Sequence, residues 1–521
     1  MKFLKSFVLF LALMAMMPVK NYAQNPINYD NFEQDEYVFE ILDKLKLTNK
    51  SVVADAQNEI DNIVEYAVST NNRDIKTVLK KSVLRFVEES DDCECVNYLF
   101  SILPKVCTIN DVDRIFQLID NERLADGAIK AVADMPDTGN YFLKYIETNQ
   151  NYLNHKGALA YAAGKQNITS LENDLIAWLK GSDDATKIEI YKALVVVGSS
   201  KKTASIVEKG AKKLYKSKNT DYKIEGMKLL AAVKGEKAMP MLYKSLKNTD
   251  RRVRLAAFEL MKPYADDNVC AKAVKICKEG EPLIDVINWL GEIKDDSQMA
   301  LIINGLSSEN PRVMEAAIRA VFKIDNPEGI AAVKPMFGGK YQEVITDAML
   351  EYEGDYTALM NDVLKGTDNQ KLAALQILEK RPVVGVNTRI KALLYSDNQQ
   401  VKDEAFKVLK YVVAPANAEF LSYLLAQCDD KYVEDVQLAI KNAMGKLPDA
   451  SKDQFASTLK HVQPEKMPRY YKVFAYFGTD LTIDKLIEAY ESGEYKNEAK
   501  EALLLVENEA YKERIAEVLK H

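Results

Sequence analysis

From about residue 93 onward the chain repeats one pattern: two helix-period segments separated by short polar turns. The second segment of each pair opens on a capping residue followed by a hydrophobic stripe. Asp250 (DRRVRLAAFELMKPY), Asn310 (NPRVMEAAIRAVFKI), Asn369 (NQKLAALQILEK) and Asn398 (NQQVKDEAFKVLKYV) begin such stretches. Asp and Asn suit these starts because their side-chain oxygens accept the orphan backbone N–H groups of a first helical turn. Pro311 sits just inside its segment, where a missing N–H costs nothing. Starts of the second segment fall near residues 93, 122, 154, 183, 220, 250, 281, 310, 340, 367, 397, 429, 465 and 494, a mean spacing of about 31 residues. Residues 237–247, 297–306, 355–365 and 419–428 supply examples of the first segment. Two helices in about 31 residues cannot bury their own apolar faces, so the pairs must stack side by side over a continuous core. The predicted fold is all-α, an α-solenoid built as a superhelical stack of antiparallel helix pairs.

The stretch DRRVRLAA at residues 250–257 resembles the start of the second helix of a HEAT repeat, whose pattern is Asp-Pro-x-Val-Arg followed by alanines. PRVMEAA at 311–317 and QQVKDEA at 399–405 are similar. The short period resembles that of the HEAT-like arrays of bacterial phycobilin lyases. The resemblance covers roughly residues 93–521 and is strongest between 237 and 412. It implies that Val253, Val313 and Val401 point into the core, and that Ala256, Ala257, Ala316 and Ala317 let neighbouring helices approach. Arg254 and Lys402 keep the cation after the valine whereas Met314 replaces it, so a continuous Asp–Arg ladder is not expected. Tetratricopeptide repeats are disfavoured by their longer period of about 34 residues and by the lack of a Trp-x-x-Leu-Gly signature.

The first residues read differently. Lys2 and Lys5 precede an apolar run at 7–17, Pro18 breaks it, and the small residue Ala23 follows. This is the pattern of a secretory signal peptide at 1–23, cleaved after Ala23 and too short for the roughly 20 residues that a membrane span needs. No later stretch approaches such a length, so no transmembrane anchor is expected. Residues 24–92 are read as an N-terminal helical cap and 93–521 as the HEAT-like solenoid. In the cap, Phe39, Ile41, Leu42, Leu45 and Leu47 are the apolar anchors of the first part, and residues 51–89 read as two longer helices.

Charge is uneven. Removing Lys2, Lys5 and Lys20 takes the formal charge from −7 to −10, a balance that disfavours nucleic acid as a partner. The lysines at 201, 202, 209, 212, 213, 216, 218 and 223 are opposed within 199–223 only by Glu208 and Asp221, and the interval that holds them, 183 to 220, is the longest in the array. Lys201, Lys202, Lys209, Lys212, Lys213, Lys216 and Lys218 are therefore the candidate patch for an anionic partner, read beside the alternative of a solvated outer helix with an extended loop. The densest aromatic cluster is RYYKVFAYF, with Tyr470, Phe474 and Phe477 at core spacing. Tyr471 and Tyr476 lie off that stripe, as a candidate aromatic contact for a peptide or a sugar.

A search for chemistry finds little. Three histidines occur, and no HExxH, GxSxG or EF-hand pattern. Gly164-Lys165 and Gly339-Lys340 lack the flanking residues of a phosphate loop. Acidic pairs such as Asp183-Asp184, Asp266-Asp267, Asp295-Asp296 and Asp429-Asp430 fall at predicted helix starts, where carboxylates favour the N-terminal dipole. Six cysteines are too few for a disulfide scaffold. Cys270 and Cys277 lie about 10 Å apart along one predicted helix, beyond the roughly 7 Å reach of a bridge. No catalytic, metal or cofactor residue is assigned. The expected function is a non-catalytic exported scaffold, periplasmic rather than extracellular, that binds a protein or peptide on the concave face lined by its second helices. The rival expectations are a glycan-binding or accessory module related to the repeat part of carbohydrate-degrading enzymes and, by resemblance only, a lyase of the phycobilin-lyase type.

Overall fold

The computed structural model describes residues 35–90, 93–149, 151–459 and 462–520. The expected signal peptide with its cleavage after Ala23, and the start of the expected cap, lie outside these residues. The described residues contain helices and turns and no strand. The chain divides into two compact units, residues 1–235 and 236–521, inside the stretch that sequence reads as one array.

In the first unit, α1 (Asp35–Lys44), α2 (Lys50–Ser69) and α3 (Arg73–Glu89) pack on one another, and α2 and α3 cover α4 (Cys93–Val106). Pairs of first and second helices follow: α5 (Val112–Gln117) with α6 (Glu122–Ala133), α7 (Gly139–Thr148) with α8 (Lys156–Lys165), α9 (Glu172–Trp178) with α10 (Asp184–Val197), and α11 (Lys201–Tyr215) with α12 (Thr220–Lys234). Each second helix lies against the next, α4 on α6, α6 on α8, α8 on α10 and α10 on α12.

The second unit repeats the arrangement. Its pairs are α13 (Met239–Ser245) and α14 (Arg251–Met261), α15 (Asp267–Ile276) and α16 (Gly280–Ile293), α17 (Met299–Gly305) and α18 (Pro311–Ile324), α19 (Pro327–Val333) and α20 (Gln342–Glu351), and α21 (Thr357–Val363) and α22 (Asp368–Lys380). These are followed by α23 (Asn387–Leu393) and α24 (Gln399–Val412), α25 (Ala418–Gln427) and α26 (Val433–Met444), α27 (Asp449–Thr458) and α28 (Pro468–Phe477), and α29 (Asp480–Ser492) and α30 (Lys496–Leu504), with α31 (Glu509–Val518) last. Again second helix packs on second helix, from α14 through α30. Each unit is thus an α-solenoid, and the helix starts agree with the sequence spacing to within a few residues.

The local reasons are visible in α18. Asn310 caps it, its Oδ1 accepting from Arg312 N at 3.0 Å, and Pro311 occupies the first turn. Val313, Ala316, Ala317, Ile318, Ala320, Val321 and Phe322 are buried, a face wide enough to meet a helix on either side. The small residues set the separation: a Cβ added at Gly291 of α16 would stand 3.0 Å from Ala320 Cα. Val253 and Val401 are buried as the HEAT resemblance implies, whereas Ala256 is only half-buried. Asp250 and Asn398 are the expected caps. Asn369 is not: Thr367 caps α22 through a capping box with Gln370, and Asn369 lies in the first turn, because a Thr with Gln three residues on satisfies two donors reciprocally. Of the acidic pairs, Asp183 and Asp266 are N-caps. Asp295 instead accepts from Ser297 in a turn, and Asp430 pairs with Arg469.

One buried ion pair joins α14 to α16. Arg254 is 3% exposed and Asp285 1%, the only buried charged side chains among the described residues. Arg254 Nη2 and Asp285 Oδ2 are 2.8 Å apart, and Arg254 Nη1 donates to the carbonyls of Asn248 and Thr249 at 3.0 and 3.1 Å. Arg251 reaches the other carboxylate oxygen at 2.8 Å. Lys402, at the equivalent place on α24, is half-buried and makes a looser ion pair, 3.7 Å from Asp429, with the Tyr432 ring centre 5.6 Å away. Removing one partner of a buried pair strands the other, at a cost of about 3–5 kcal/mol. Asp285→Leu should therefore lower the urea midpoint reported by Trp289 fluorescence in a Trp178→Phe background. Arg254→Met combined with Asp285→Leu should lose less than the two single changes added together. Additive losses would show that the pair is not coupled.

Candidate partner-binding surfaces

The seven candidate lysines all belong to one element. Lys201, Lys202, Lys209, Lys212 and Lys213 lie on α11, with Lys216 and Lys218 in the turn after it, and all seven are exposed. The long interval is spent on helix rather than loop: α11 has 15 residues where α9 and α13 have 7 each. Ser200 caps it, accepting from Thr203 N at 3.1 Å. Glu172 of α9 accepts from Ser199 Oγ at 2.8 Å and from the Thr203 hydroxyl, which ties the start of α11 to the preceding pair. Thr203, Val207, Ala211 and Leu214 form the buried stripe. Two glycines hold the helix close. A Cβ at Gly210 would meet Tyr191 Cζ of α10 at 2.1 Å, and one at Gly226 of α12 would meet Tyr215 N at 2.4 Å and Ala211 O at 2.7 Å.

Glu208 is the acid within this cluster. Lys212 and Lys234 reach its carboxylate at 2.6 and 2.9 Å, and these hydrogen bonds hold it at about 2, well below the ordinary 4.5. Lys202, Lys209, Lys213 and Lys216 have no acidic partner among the described residues.

The aromatic candidates separate. Tyr471 is 6% exposed, inside the core of α28 with Tyr470, Phe474 and Phe477, so it is no surface contact. Its helix is apolar on more of its circumference than the single stripe read from sequence, because neighbours pack on both sides. Burial pushes its hydroxyl above the usual phenol range, with Tyr495 and Glu494 adding to the effect. Tyr476 is half-buried, with Lys441 Nζ 4.4 Å from its ring centre. It lines a small pocket of about 180 Å³ with Lys441, Leu505, Glu507 and Asn508.

A further surface escaped the sequence reading in detail. Each second helix exposes a stripe, and ion pairs join the stripes of neighbours. In the first unit Lys165 pairs with Asp134 at 3.1 Å and Lys192 with Glu225 at 3.2 Å. In the second unit Lys262 pairs with Glu292 at 2.9 Å, Arg319 with Asp347 at 3.5 Å and Lys410 with Asp435 at 3.1 Å. Apart from the half-buried Lys410–Asp435 pair, these are exposed pairs that contribute about 0–1 kcal/mol each, so their effect is to position side chains more than to stabilise. Leu255, Leu350, Tyr411 and Leu504 are the large apolar side chains exposed on second helices of the second unit.

Several tyrosines prove to be fasteners between neighbouring pairs. Tyr161 donates to Asp134 at 2.7 Å and Tyr511 to Asp480 at 2.9 Å, and Tyr352 donates to Asp325. In each case the aspartate belongs to the preceding pair of helices. The recurrence of a tyrosine 27 to 31 residues after an aspartate is the signal that would have found them. Cys107, Cys270, Cys277 and Cys428 are free thiols, and burial pushes Cys270 and Cys277 up to about 12. No group of three or more His, Cys, Asp or Glu is placed to hold a metal ion among the described residues.

The Glu208 clamp predicts a pH effect. A carboxylate whose folded value is depressed stabilises the fold above its unfolded value and loses that contribution as pH falls through the folded one. Between pH 4.5 and about 2 the melting temperature of the wild type should therefore fall more steeply than that of Glu208→Gln. Parallel curves in thermal melts followed by circular dichroism would show that the clamp carries no stability.

No protein-family profile matches the chain, and no curated protein matches it. Solved structures do. Kap95p, from a complex with RanGDP, is 10% identical, with 94% of this chain and 84% of that one covered and a TM-score of 0.44. Yeast importin-β (Kap95p) is 9% identical over 94% and 80%, with a TM-score of 0.39. UNC-45 from Drosophila melanogaster is 11% identical over 94% and 83%, with a TM-score of 0.33. At identities and scores of this size the likeness assigns neither family nor activity, and the helix packing itself carries the fold.

Proposed function

We propose that the chain is a non-catalytic scaffold, exported to the periplasm through residues 1–23, that binds an extended protein or peptide partner along the ledge of its second helices. The observation that supports this reading is the linkage of successive stripes. Lys262–Glu292, Arg319–Asp347 and Lys410–Asp435 in one unit, and Lys165–Asp134 and Lys192–Glu225 in the other, hold long side chains before any partner arrives. Side chains already ordered lose less freedom on binding, which favours association. Leu255, Leu350 and Tyr411 set apolar contacts among these charges, the mixture typical of surfaces that meet other proteins. A stack of similar stripes suits a partner that runs across several of them.

Site-specific photocrosslinking tests the reading. A benzophenone side chain replaces Leu255, Leu350 or Tyr411 on the ledge, or, as controls, Tyr395 and Tyr423, which are exposed after α23 and on α25. Irradiation of cells should give protein adducts from the three ledge positions in the periplasmic fraction. Adducts confined to the control positions, or to glycan, would remove the proposal.

A further inference from the structure

We propose that the outer face of α11 is a second docking surface, separate from the ledge, for an acidic polypeptide segment. Four observations meet there. First, α11 is the longest first helix among the described residues, and it lies in the one interval that departs most from the repeat. Second, Lys202, Lys209, Lys213 and Lys216 are separated by seven, four and three residues, which places them within about 60° of arc and along about 21 Å of helix. Third, these four have no acidic partner among the described residues, while the one acid on α11 itself, Glu208, is occupied by Lys212 and Lys234 on the flank. The clamp removes the carboxylate that would otherwise neutralise the stripe. Fourth, the helix is held firmly: Ser200 and Glu172 fix its start, and Gly210 and Gly226 seat it against α10 and α12.

Solubility alone does not account for such a stripe, because the protein as a whole carries −7 and gains nothing by a local cluster of the opposite sign. A positive face on a negative protein directs the approach of an anion to that face. The chemistry selects among anions. Lysine offers a flexible point charge rather than the planar fork with which arginine grips a single carboxylate or phosphate, so the stripe fits a row of spaced charges better than one compact anion. The spacing of seven, four and three is that of one side of an α-helix, and an acidic helix laid alongside presents carboxylates at matching intervals. The four lysines stand on the outer face of the helix, and the buried polar side chain of α11, Thr203, lies on the opposite side with its hydroxyl given to Glu172, so it is not free to fix the hydroxyls of a sugar.

The test uses the full chain and two probes: a fluorescein-labelled helical peptide of about 20 residues with Glu at every third or fourth position, and labelled polygalacturonate. The peptide should bind in fluorescence anisotropy, and its affinity should fall about tenfold on adding salt to about 0.3 M, as expected for exposed charges within a Debye length of one another. Replacing Lys202, Lys209, Lys213 and Lys216 together by Gln should weaken peptide binding at least about tenfold with the circular dichroism melt unchanged, while Arg at the same four positions should retain it. Equal peptide affinity in the Gln variant, no peptide binding by the wild type, or tighter binding of polygalacturonate at equal charge would each overturn the proposal. Ledge crosslinks in the Gln variant report on the scaffold reading independently.

Discussion

The contact on which each unit depends is that of one second helix with the next. A single pair of short helices leaves both of its flanks apolar, and only a neighbour on either side removes them from water. That requirement explains why buried residues wrap around so much of α18 and why alanine and glycine sit where the helices come nearest. Gly291 against Ala320 and Gly164 of α8 against Ala193 of α10, 3.2 Å from an added Cβ, are the same device in the two units. Every other feature, including the exposed stripes and the long α11, is placed by that stacking.

Sequence reading recovered what is local. Caps such as Asp250 and Asn398 act through N–H groups two or three residues away, and the period of the apolar stripe follows from helix geometry alone, so both are legible in a short window. It failed where partners are distant or compete. Tyr471 looks like a surface residue only if its helix has one buried side, and its second neighbour cannot be read from nearby residues. Asn369 looks like a cap until Thr367 and Gln370 are seen to satisfy the same donors. The lysine cluster was legible because charges count themselves along the chain. That its carboxylate is already taken was not, since one of the two lysines holding it, Lys234, lies on the following helix.

Tyrosine shows the same boundary between near and far. Composition gives 27 of them and invites a binding surface. In the folded chain Tyr161, Tyr352 and Tyr511 each bring a hydroxyl to an aspartate of the neighbouring pair, so that one side chain supplies apolar bulk to the stack and a polar tip to its rim. Burial of a residue and its use as a hydrogen-bond donor are compatible for tyrosine in a way they are not for leucine, and solenoid rims require both.

Several side chains that satisfy carbonyls near helix ends come from the pair that follows. Gln166 serves Ala133 and Met135 at 2.7 Å, and Arg381 serves Met349 at 2.6 Å. Asn442 serves Lys410 at 2.8 Å, Arg469 serves Cys428 at 2.7 Å and Asn508 serves Gly478 at 3.2 Å. In all five the donor comes later in the chain than the carbonyl. During synthesis, then, these five carbonyls emerge before the side chains that satisfy them, whereas the carbonyl of Arg381 at the end of α22 meets Tyr356, which is already made. Where the donor is the later residue, the end of one pair is closed only when the ribosome has delivered the next.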